Sequence, residues 1–284
     1  ARDFKHRFLQ ILAITLSLEA VGALLLFLTL LPDTTSATAA WSATFHSISA
    51  FCNAGFSILP DSLVGMRGNH AFMTVVAILI VLGGLGFMVL HESLGDGRRM
   101  LRRRERPGPV RFTLHTSVVL RTSLLLIVAG ALVMLLFGMT EGERTWGERI
   151  TGALFQSISA RTCGFNSIDI GALPVASLLI LALLMFVGGS PGSCAGGIKT
   201  TSPAVLFARL RSYATGQEAR LGGRMLDRDL VRSVGLLFAL AVLWNLIGVL
   251  ILGHFEKGRP GVELQHLLFE QISAFGTVGL STNT

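Results

Sequence analysis

The chain has 284 residues, of which 51% are hydrophobic and only 14% are charged, whereas soluble domains average about 25% charged residues. This composition argues against a soluble domain, and the long uncharged stretches indicate an all-α polytopic membrane protein. The net charge of +7 comes from arginines clustered between apolar runs, which favours a membrane-topology signal over nucleic-acid binding.

Five apolar runs are candidates for membrane-crossing helices. About 20 apolar residues suffice for a helix to cross the hydrocarbon core of a bilayer. The predicted spans are Phe8–Leu31, Ala71–Leu90, Ser117–Phe137, Leu173–Val187 with a broken continuation to about Phe207, and Val234–Leu252.

Three shorter segments with helical spacing of apolar residues lie between the spans: "AAWSATFHSISAF", "ERITGALFQSISA" and "VELQHLLFEQISAF". Each is too short to cross the bilayer, so each is predicted to be a re-entrant or interfacial helix. Arginine fixes their side: seven arginines lie between Arg98 and Arg111, and six between Arg209 and Arg232. These segments are predicted to be cytoplasmic, which places the short helices on the outer side.

A repeat follows each short helix. The copies are "SISAFCNAGFS" at Ser47–Ser57, "SISARTCGFNS" at Ser157–Ser167 and "QISAFGTVGLS" at Gln271–Ser281. All three share Ile-Ser-Ala and a glycine before a large apolar residue, and the middle copy is one residue shorter between Ala and Gly. The repeated unit is therefore span, short helix, glycine loop, span.

Non-helical backbone at membrane depth is tolerated only where protein or water satisfies its polar groups. Glycine lets the chain turn with positive φ, which helps carbonyl groups point inward. A ring of such carbonyls can replace the hydration shell of a monovalent cation, and "TVGL" at Thr277–Leu280 is close to the TVGYG loop of potassium channels. A duplicated helical hairpin without conduction remains the alternative.

A second glycine-rich segment interrupts the fourth span. Five glycines between Gly188 and Gly197 disfavour a continuous helix, at about 1 kcal/mol each relative to alanine. A nucleotide-binding P-loop is excluded, because Ile198 intervenes before Lys199 and the G-x-x-x-x-G-K-[ST] spacing is broken. Two interpretations stay open: the unwound helix of a secondary transporter and a flexible gate.

The three glycine loops resemble the filter loops of the Trk/Ktr/HKT superfamily of potassium-uptake proteins, nearest to its bacterial Ktr and Trk members. "FVGGSPGSCAGGIKTTS", Phe186–Ser202, resembles the intramembrane loop of that family's third repeat. The resemblance implies four non-identical M1–P–M2 units, each with a pore helix and a filter loop, around one pseudo-fourfold pore. It divides the chain into a second unit (1–95), a basic cytoplasmic loop (96–111), a third unit with a broken M2 (112–207), a cytoplasmic linker (208–230) and a fourth unit with M1, P helix and filter only (231–284).

The resemblance also implies site residues. The implied filter, with K⁺ as its only metal, consists of Asn53, Ala54, Gly55, Phe56, Thr162, Cys163, Gly164, Phe165, Thr277, Val278, Gly279 and Leu280. The implied gate consists of Gly188, Gly189, Ser190, Pro191, Gly192, Ser193, Cys194, Ala195, Gly196, Gly197 and Lys199. Because the first unit and the last M2 helix have no counterpart here, we expect the chain to be part of a longer protein.

The implied function is potassium uptake across a bacterial inner membrane, without enzymatic activity or a cofactor. The implied partners are the lipid bilayer, a second copy in a homodimer, and a cytosolic nucleotide-binding regulatory ring, which we expect at the two arginine-rich segments. The main rival is a secondary transporter with a midplane site at Ser190–Thr200, and the second is a non-conducting structural subunit.

Isolated ionisable side chains are ambiguous. Glu19 lies inside the first span and is interpreted as a packing contact rather than a permeation residue. Lys199 either repels permeant ions beneath the filter or extends to the headgroups. The three cysteines and the scattered histidines show no metal-ligand spacing.

Overall fold

A computed structural model of the chain describes residues 2–102, 112–137 and 145–282, which are mostly helical. The helices are α1 (Arg2–Leu30), α2 (Ser36–Phe51), α3 (His70–Leu85), α4 (Phe87–Arg102), α5 (Leu114–Phe137), α6 (Trp146–Ser159), α7 (Val175–Phe186), α8 (Thr201–Thr215), α9 (Arg228–Phe255) and α10 (Leu264–Phe275). A single 3₁₀ turn lies at Val64–Met66, and two-residue strands β1 (Arg220–Leu221) and β2 (Arg224–Met225) form an antiparallel hairpin.

Three helices in the described part of the chain are long and apolar enough to cross a membrane: α1 from Phe8 onward, α5 and α9. The pair α3 and α4 also passes this test, but with a bend of 107° between its halves. The apolar helix α7 has only 12 residues. The predicted all-α, multi-pass membrane fold is confirmed.

The span predicted over Ala71–Leu90 is not continuous. It ends at Leu85, and the chain turns at Gly86, whose φ is +86°. The turn makes room for the glycine-rich segment, because the Phe87 N–H donates to the Gly192 carbonyl at 3.1 Å. A Cβ on Gly86 would lie only 2.6 Å from the Pro191 carbonyl oxygen. The apolar pattern runs through this turn without interruption, so hydropathy alone could not locate it.

A glycine in the first span of each unit seats the short helix that follows. Gly22 of α1 lies against Ser47 of α2, and Gly130 of α5 lies against Ser157 of α6. Both serines donate to a span carbonyl, at 2.7 Å to Glu19 and 2.8 Å to Ile127. Small residues at such contacts let membrane helices approach closely. In the fourth unit Gly248 of α9 meets the side chain of Gln271 in the same way.

The arginine-rich segments are described in part. Residues 103–111 of the predicted basic loop lie outside the described residues, and α4 accounts for the backbone up to Arg102. In the predicted linker 208–230, α8 continues to Thr215, the β1–β2 hairpin follows, and α9 begins at Arg228.

Candidate functional site

The three short helices α2, α6 and α10 have 16, 14 and 12 residues, which is too short to cross a bilayer. The N-termini of α2 and α6 are capped by Thr35 and Thr145, which accept backbone N–H groups, and a capping box closes α10. Each helix ends where a glycine loop begins. The negative end of each helix dipole is therefore directed at the loop, where it favours a cation.

The three glycine loops share one backbone conformation. In each loop a non-glycine residue with positive φ stands two positions before a glycine with positive φ. The values are +51° and +71° at Asn53 and Gly55, +72° and +95° at Thr162 and Gly164, and +52° and +88° at Thr277 and Gly279. Positive φ outside glycine is uncommon. Its recurrence at equivalent places indicates that the three loops are structurally equivalent.

The middle copy has one residue fewer between the alanine of Ile-Ser-Ala and the glycine, and its short helix ends earlier relative to that alanine. α2 and α10 end at Phe51 and Phe275, one residue after the alanine of Ile-Ser-Ala, whereas α6 ends at Ser159, one residue before it. The loop conformation is thereby kept.

The serine of Ile-Ser-Ala fixes the far end of each loop. Ser49 Oγ donates to the Phe56 carbonyl at 2.8 Å, and Ser273 Oγ donates to the Leu280 carbonyl at 2.7 Å. Ser159 Oγ makes the equivalent bond to the Phe165 carbonyl. The serines repeat visibly in the sequence, but their bonding to the loop was not predicted from it.

In each copy, a polar side chain two residues before the isoleucine of Ile-Ser-Ala forms a hydrogen bond with the segment that follows the loop. His46 Nε2 is hydrogen-bonded to Ser57 Oγ at 3.0 Å, and Gln156 Oε1 accepts the Ser167 N–H at 3.4 Å. Glu270 Oε1 accepts the Thr282 N–H at 2.7 Å. Each loop is therefore anchored at both ends to its own short helix.

The loops pack in a fixed order, each glycine against the next loop. A Cβ on Gly55 would overlap the Cys163 carbonyl oxygen, and a Cβ on Gly164 would overlap the Val278 carbonyl oxygen. Around Gly279 there is no atom of the described chain within 4 Å of such a Cβ. The described loops thus pack side by side, the first against the second and the second against the third.

Burial follows this order. Thr162, Cys163 and Phe165 of the middle loop are completely buried, whereas Phe56 of the first loop is 71% exposed. In the third loop Val278 and Leu280 are buried, and Gly279 is exposed. The structure therefore brings all the sequence-predicted filter residues together as three neighbouring loops.

The glycine-rich segment Gly188–Lys199, which we term the gate segment, closes on itself at its ends. Val187 and Ile198 form a parallel bridge, and the Gly188 N–H donates to the Ile198 carbonyl at 2.9 Å. Its tip is exposed at Gly192 and Cys194. Positive φ at Gly192 (+75°) and Gly197 (+66°) explains why glycine stands at those turns.

The gate segment reaches the start of all three loops. The residue directly before the positive-φ position is Cys52 in the first loop, Arg161 in the second and Gly276 in the third. The Cys194 thiol interacts with that of Cys52, and a Cβ on Gly196 would lie 2.6 Å from the Gly276 carbonyl oxygen. The segment therefore crosses the end of the ring at which the short helices terminate.

Arg161 is a further site residue that sequence reasoning missed. Its guanidinium is buried and donates to the Ser123 carbonyl of α5 and to the Gly188 carbonyl, both at 3.4 Å. The signal was present in the repeat, since the middle copy reads "SISAR" where the others read "SISAF" or "QISAF".

The two ambiguous charges make local contacts. The Cys52 thiol donates to Glu19 Oε1 at 3.6 Å, which joins α1 to α2 and agrees with the packing interpretation. Lys199 Nζ donates to the Ala195 carbonyl, so this ammonium folds back onto the gate segment. Among the described residues there is no group of three or more His, Cys, Asp or Glu side chains that could hold a metal ion.

Comparison with known proteins gives a consistent result. The family model described as TrkH, cation transport protein, matches residues 3–283. The potassium/sodium uptake protein NtpJ of Enterococcus hirae is 32% identical over 277 residues, which cover 96% of this chain and 59% of that protein. The Ktr system potassium uptake protein B of Bacillus subtilis is 31% identical over 272 residues, 94% of this chain and 58% of that protein.

The chain spans about three fifths of the length of these relatives. The crystal structure of the potassium transporter TrkH from Vibrio parahaemolyticus superposes with a TM-score of 0.70. It covers 99% of this chain and 64% of that one at 18% identity, so the likeness concerns the fold.

Proposed function

The chain belongs to the TrkH family of cation transport proteins, and we propose that it forms three of the four sides of a potassium-uptake pathway in a bacterial inner membrane. The observation that carries the proposal is the packing of Gly55 and Gly164 on the carbonyl of the residue that precedes the glycine of the next loop, Cys163 and Val278 respectively. A ring built in this way aligns equivalent backbone groups from non-identical loops around one axis. The proposed filter consists of the twelve loop residues around Gly55, Gly164 and Gly279.

Potassium would be bound by partial dehydration. Backbone carbonyls of the loops replace water around the ion, and the helix C-termini behind them add partial negative charge. Each serine of Ile-Ser-Ala fixes one carbonyl beyond the glycine, which limits how far the ring can contract around the smaller sodium ion. The fourth side of the ring would come from a further loop of the whole protein.

The gate segment would obstruct the pathway at the inner end of this filter. Its contacts at the start of all three loops support this role. The exposed tip at Gly192 and Cys194 would be the part that moves. Lys199, held at the Ala195 carbonyl, would add a positive charge against permeant cations while the segment is closed.

The rival proposal of a transporter site at Ser190–Thr200 requires free backbone groups. Several N–H groups there already have protein partners: Ser190 donates to the Gly84 carbonyl and Thr200 to the Gly189 carbonyl, both at 3.0 Å. The hydroxyl of Thr200 also donates to Ser190 Oγ at 3.1 Å. These bonds support a structured plug more than a substrate site.

We further propose that the whole protein is a homodimer and is controlled by a cytosolic nucleotide-binding ring. Support comes from the word "system" in the names of the Ktr relatives and from the arginine-rich segments at Arg98–Arg111 and Arg209–Arg232. Neither segment contributes a residue to the proposed filter.

The test is ion flux through the full-length protein. We expect it to restore growth of potassium-uptake-deficient cells at low K⁺, and, in liposomes, to pass K⁺ faster than Na⁺ without a coupled ion. A fixed stoichiometry with a second ion would favour the transporter. Failure to rescue growth, at normal membrane expression, would favour the structural subunit.

A further inference from the structure

A positive charge is buried behind the proposed filter with no acidic partner. Arg161 is 8% exposed, and the described residues around its small cavity of about 20 Å³ include no carboxylate. Burial of an unpaired charge is strongly unfavourable. An arginine at this place therefore needs a reason that Cys52 and Gly276, the residues before the positive-φ position in the other two loops, do not.

The hydrogen bonds of Arg161 supply that reason. One nitrogen donates to the Ser123 carbonyl on α5, and the other donates to Ser123 Oγ at 3.3 Å and to the Gly188 carbonyl at 3.4 Å. Gly188 is the first residue of the gate segment. A single planar side chain thus joins the first span of its unit, the start of the middle loop and the base of the gate.

The cavity shows that other parts of the pore meet at the same place. Besides Arg161 and Ser123, it is lined by Asn53 of the first loop, Gly84 at the end of α3 and Gly189 of the gate segment. Gly84 in turn accepts the Ser190 N–H at 3.0 Å. The base of the gate segment, the end of α3, the first loop and Arg161 therefore meet around one cavity.

We propose that Arg161 is a positioning residue that fastens the base of the gate segment to the middle filter loop. The inference rests on the proposed function of that loop and segment. While these three bonds are made, the base of the gate segment is held under the filter, and the middle loop keeps the conformation that selects K⁺. The fork geometry of the guanidinium is required, because an ammonium is a point donor and cannot satisfy two separated elements in the same way.

The test uses the full-length protein with Arg161→Met, which keeps an unbranched side chain and removes the charge and its donors. We expect a severalfold rise in basal K⁺ flux and a lower K⁺/Na⁺ flux ratio. Arg161→Lys should resemble the methionine variant more than the wild type. The control is Arg121→Met, two residues from Ser123 on the same span but exposed, which should leave both quantities unchanged.

A second comparison tests whether Arg161 acts through the gate segment or only fills space. Non-additivity is the mark of residues that act through one element. If Arg161 acts through the gate, its substitution should add no basal flux in a protein that already lacks Gly192–Gly196. Additive increases would overturn the inference, as would wild-type flux and selectivity in Arg161→Met, or full restoration by Arg161→Lys.

If Arg161→Met does not reach the membrane, Ser123→Ala is used as the test instead, because it removes one acceptor of Arg161 and leaves the arginine in place. We then expect a smaller rise in basal flux, and an unchanged flux would reject the tie. Wild-type K⁺ uptake is measured beside every variant. Absence of uptake in the wild type would count against the proposed function, whereas uptake that no variant alters would count only against the role of Arg161.

Discussion

At the scale of single residues, two kinds of side chain define the loops. Glycines with positive φ shape the backbone, and the serines of Ile-Ser-Ala hold a carbonyl beyond each glycine. The glycines are recognisable in the sequence because they recur in the same context. The serine bonds are not, because a serine near a helix end more often bonds within its own turn.

The three loop glycines differ in what a side chain would meet, so their serine variants should differ. Within the described chain Gly279→Ser carries only the strain of positive φ, about 1–3 kcal/mol, because no atom lies within 4 Å of the added Cβ. In the full-length protein we expect it to lose K⁺/Na⁺ selectivity, because the strained backbone reorients its carbonyl and the added side chain points at the side where the proposed fourth loop lies. Gly164→Ser would overlap the Val278 carbonyl, so we expect much less folded protein.

Membrane expression, thermal stability and the K⁺/Na⁺ flux ratio are measured together. Gly235→Ser is the matched control, since Gly235 lies within α9 with nothing within 4 Å of an added Cβ. Normal selectivity in Gly279→Ser would remove the third loop from the filter.

At the scale of elements, the gate segment and the short helices are coupled through contacts distant in sequence. Cys194 in the segment interacts with Cys52 beside the first loop, and both are exposed. The remaining cysteine, Cys163, is completely buried. The described residues therefore offer one pair of neighbouring, exposed thiols, which can report on the distance between the gate segment and the first loop.

We expect a short bis-methanethiosulfonate crosslinker, which forms a disulfide with each thiol and releases methanesulfinate, to join Cys52 to Cys194 in the full-length protein and to reduce K⁺ flux, because the tip of the gate is then held at the filter. Mass spectrometry identifies the linked peptides, and uptake is measured before and after treatment. Cys52→Ser and Cys194→Ser are the controls, and in each the reagent should leave flux unchanged. Efficient crosslinking with no loss of flux would mean that the tip does not have to move.

The elements themselves were largely predictable. Hydropathy located α1, α5 and α9, and the repeat located the three short helices and their loops, because each depends on local pattern. The turn at Gly86 was not predictable, since its cause is the Gly192 carbonyl more than a hundred residues later. The partners of Arg161 could not be predicted for the same reason, since Ser123 and Gly188 are distant from it in sequence. Its departure from the repeat, in contrast, could be read from the sequence.

At the scale of the whole molecule, three loops enclose a site on three sides. Around Gly279 the described chain offers no neighbour, whereas a dehydrated cation needs ligands on every side. Backbone carbonyls at an open side also lack partners in hydrocarbon, which costs several kcal/mol per group. The proposed filter therefore calls for a fourth loop from the whole protein.

We expect the 284 residues alone, reconstituted in liposomes, to show no preference for K⁺ over Na⁺, while the full-length protein is selective under the same conditions. Circular dichroism first checks that both preparations are helical. Equal selectivity of the two would mean that three loops suffice and would contradict the fourfold ring.

The order in which the loops pack against one another also bears on when their contacts can form during synthesis. Chains are made from the N-terminus, yet the first loop seats its glycine on the second, and the second on the third. When the first or the second loop is synthesised, the loop against which its glycine packs has not yet been made. The helices can enter the bilayer one after another, but the contacts between the three loops can form only after α10 and its loop have been made, so we expect the proposed filter to assemble late in biogenesis.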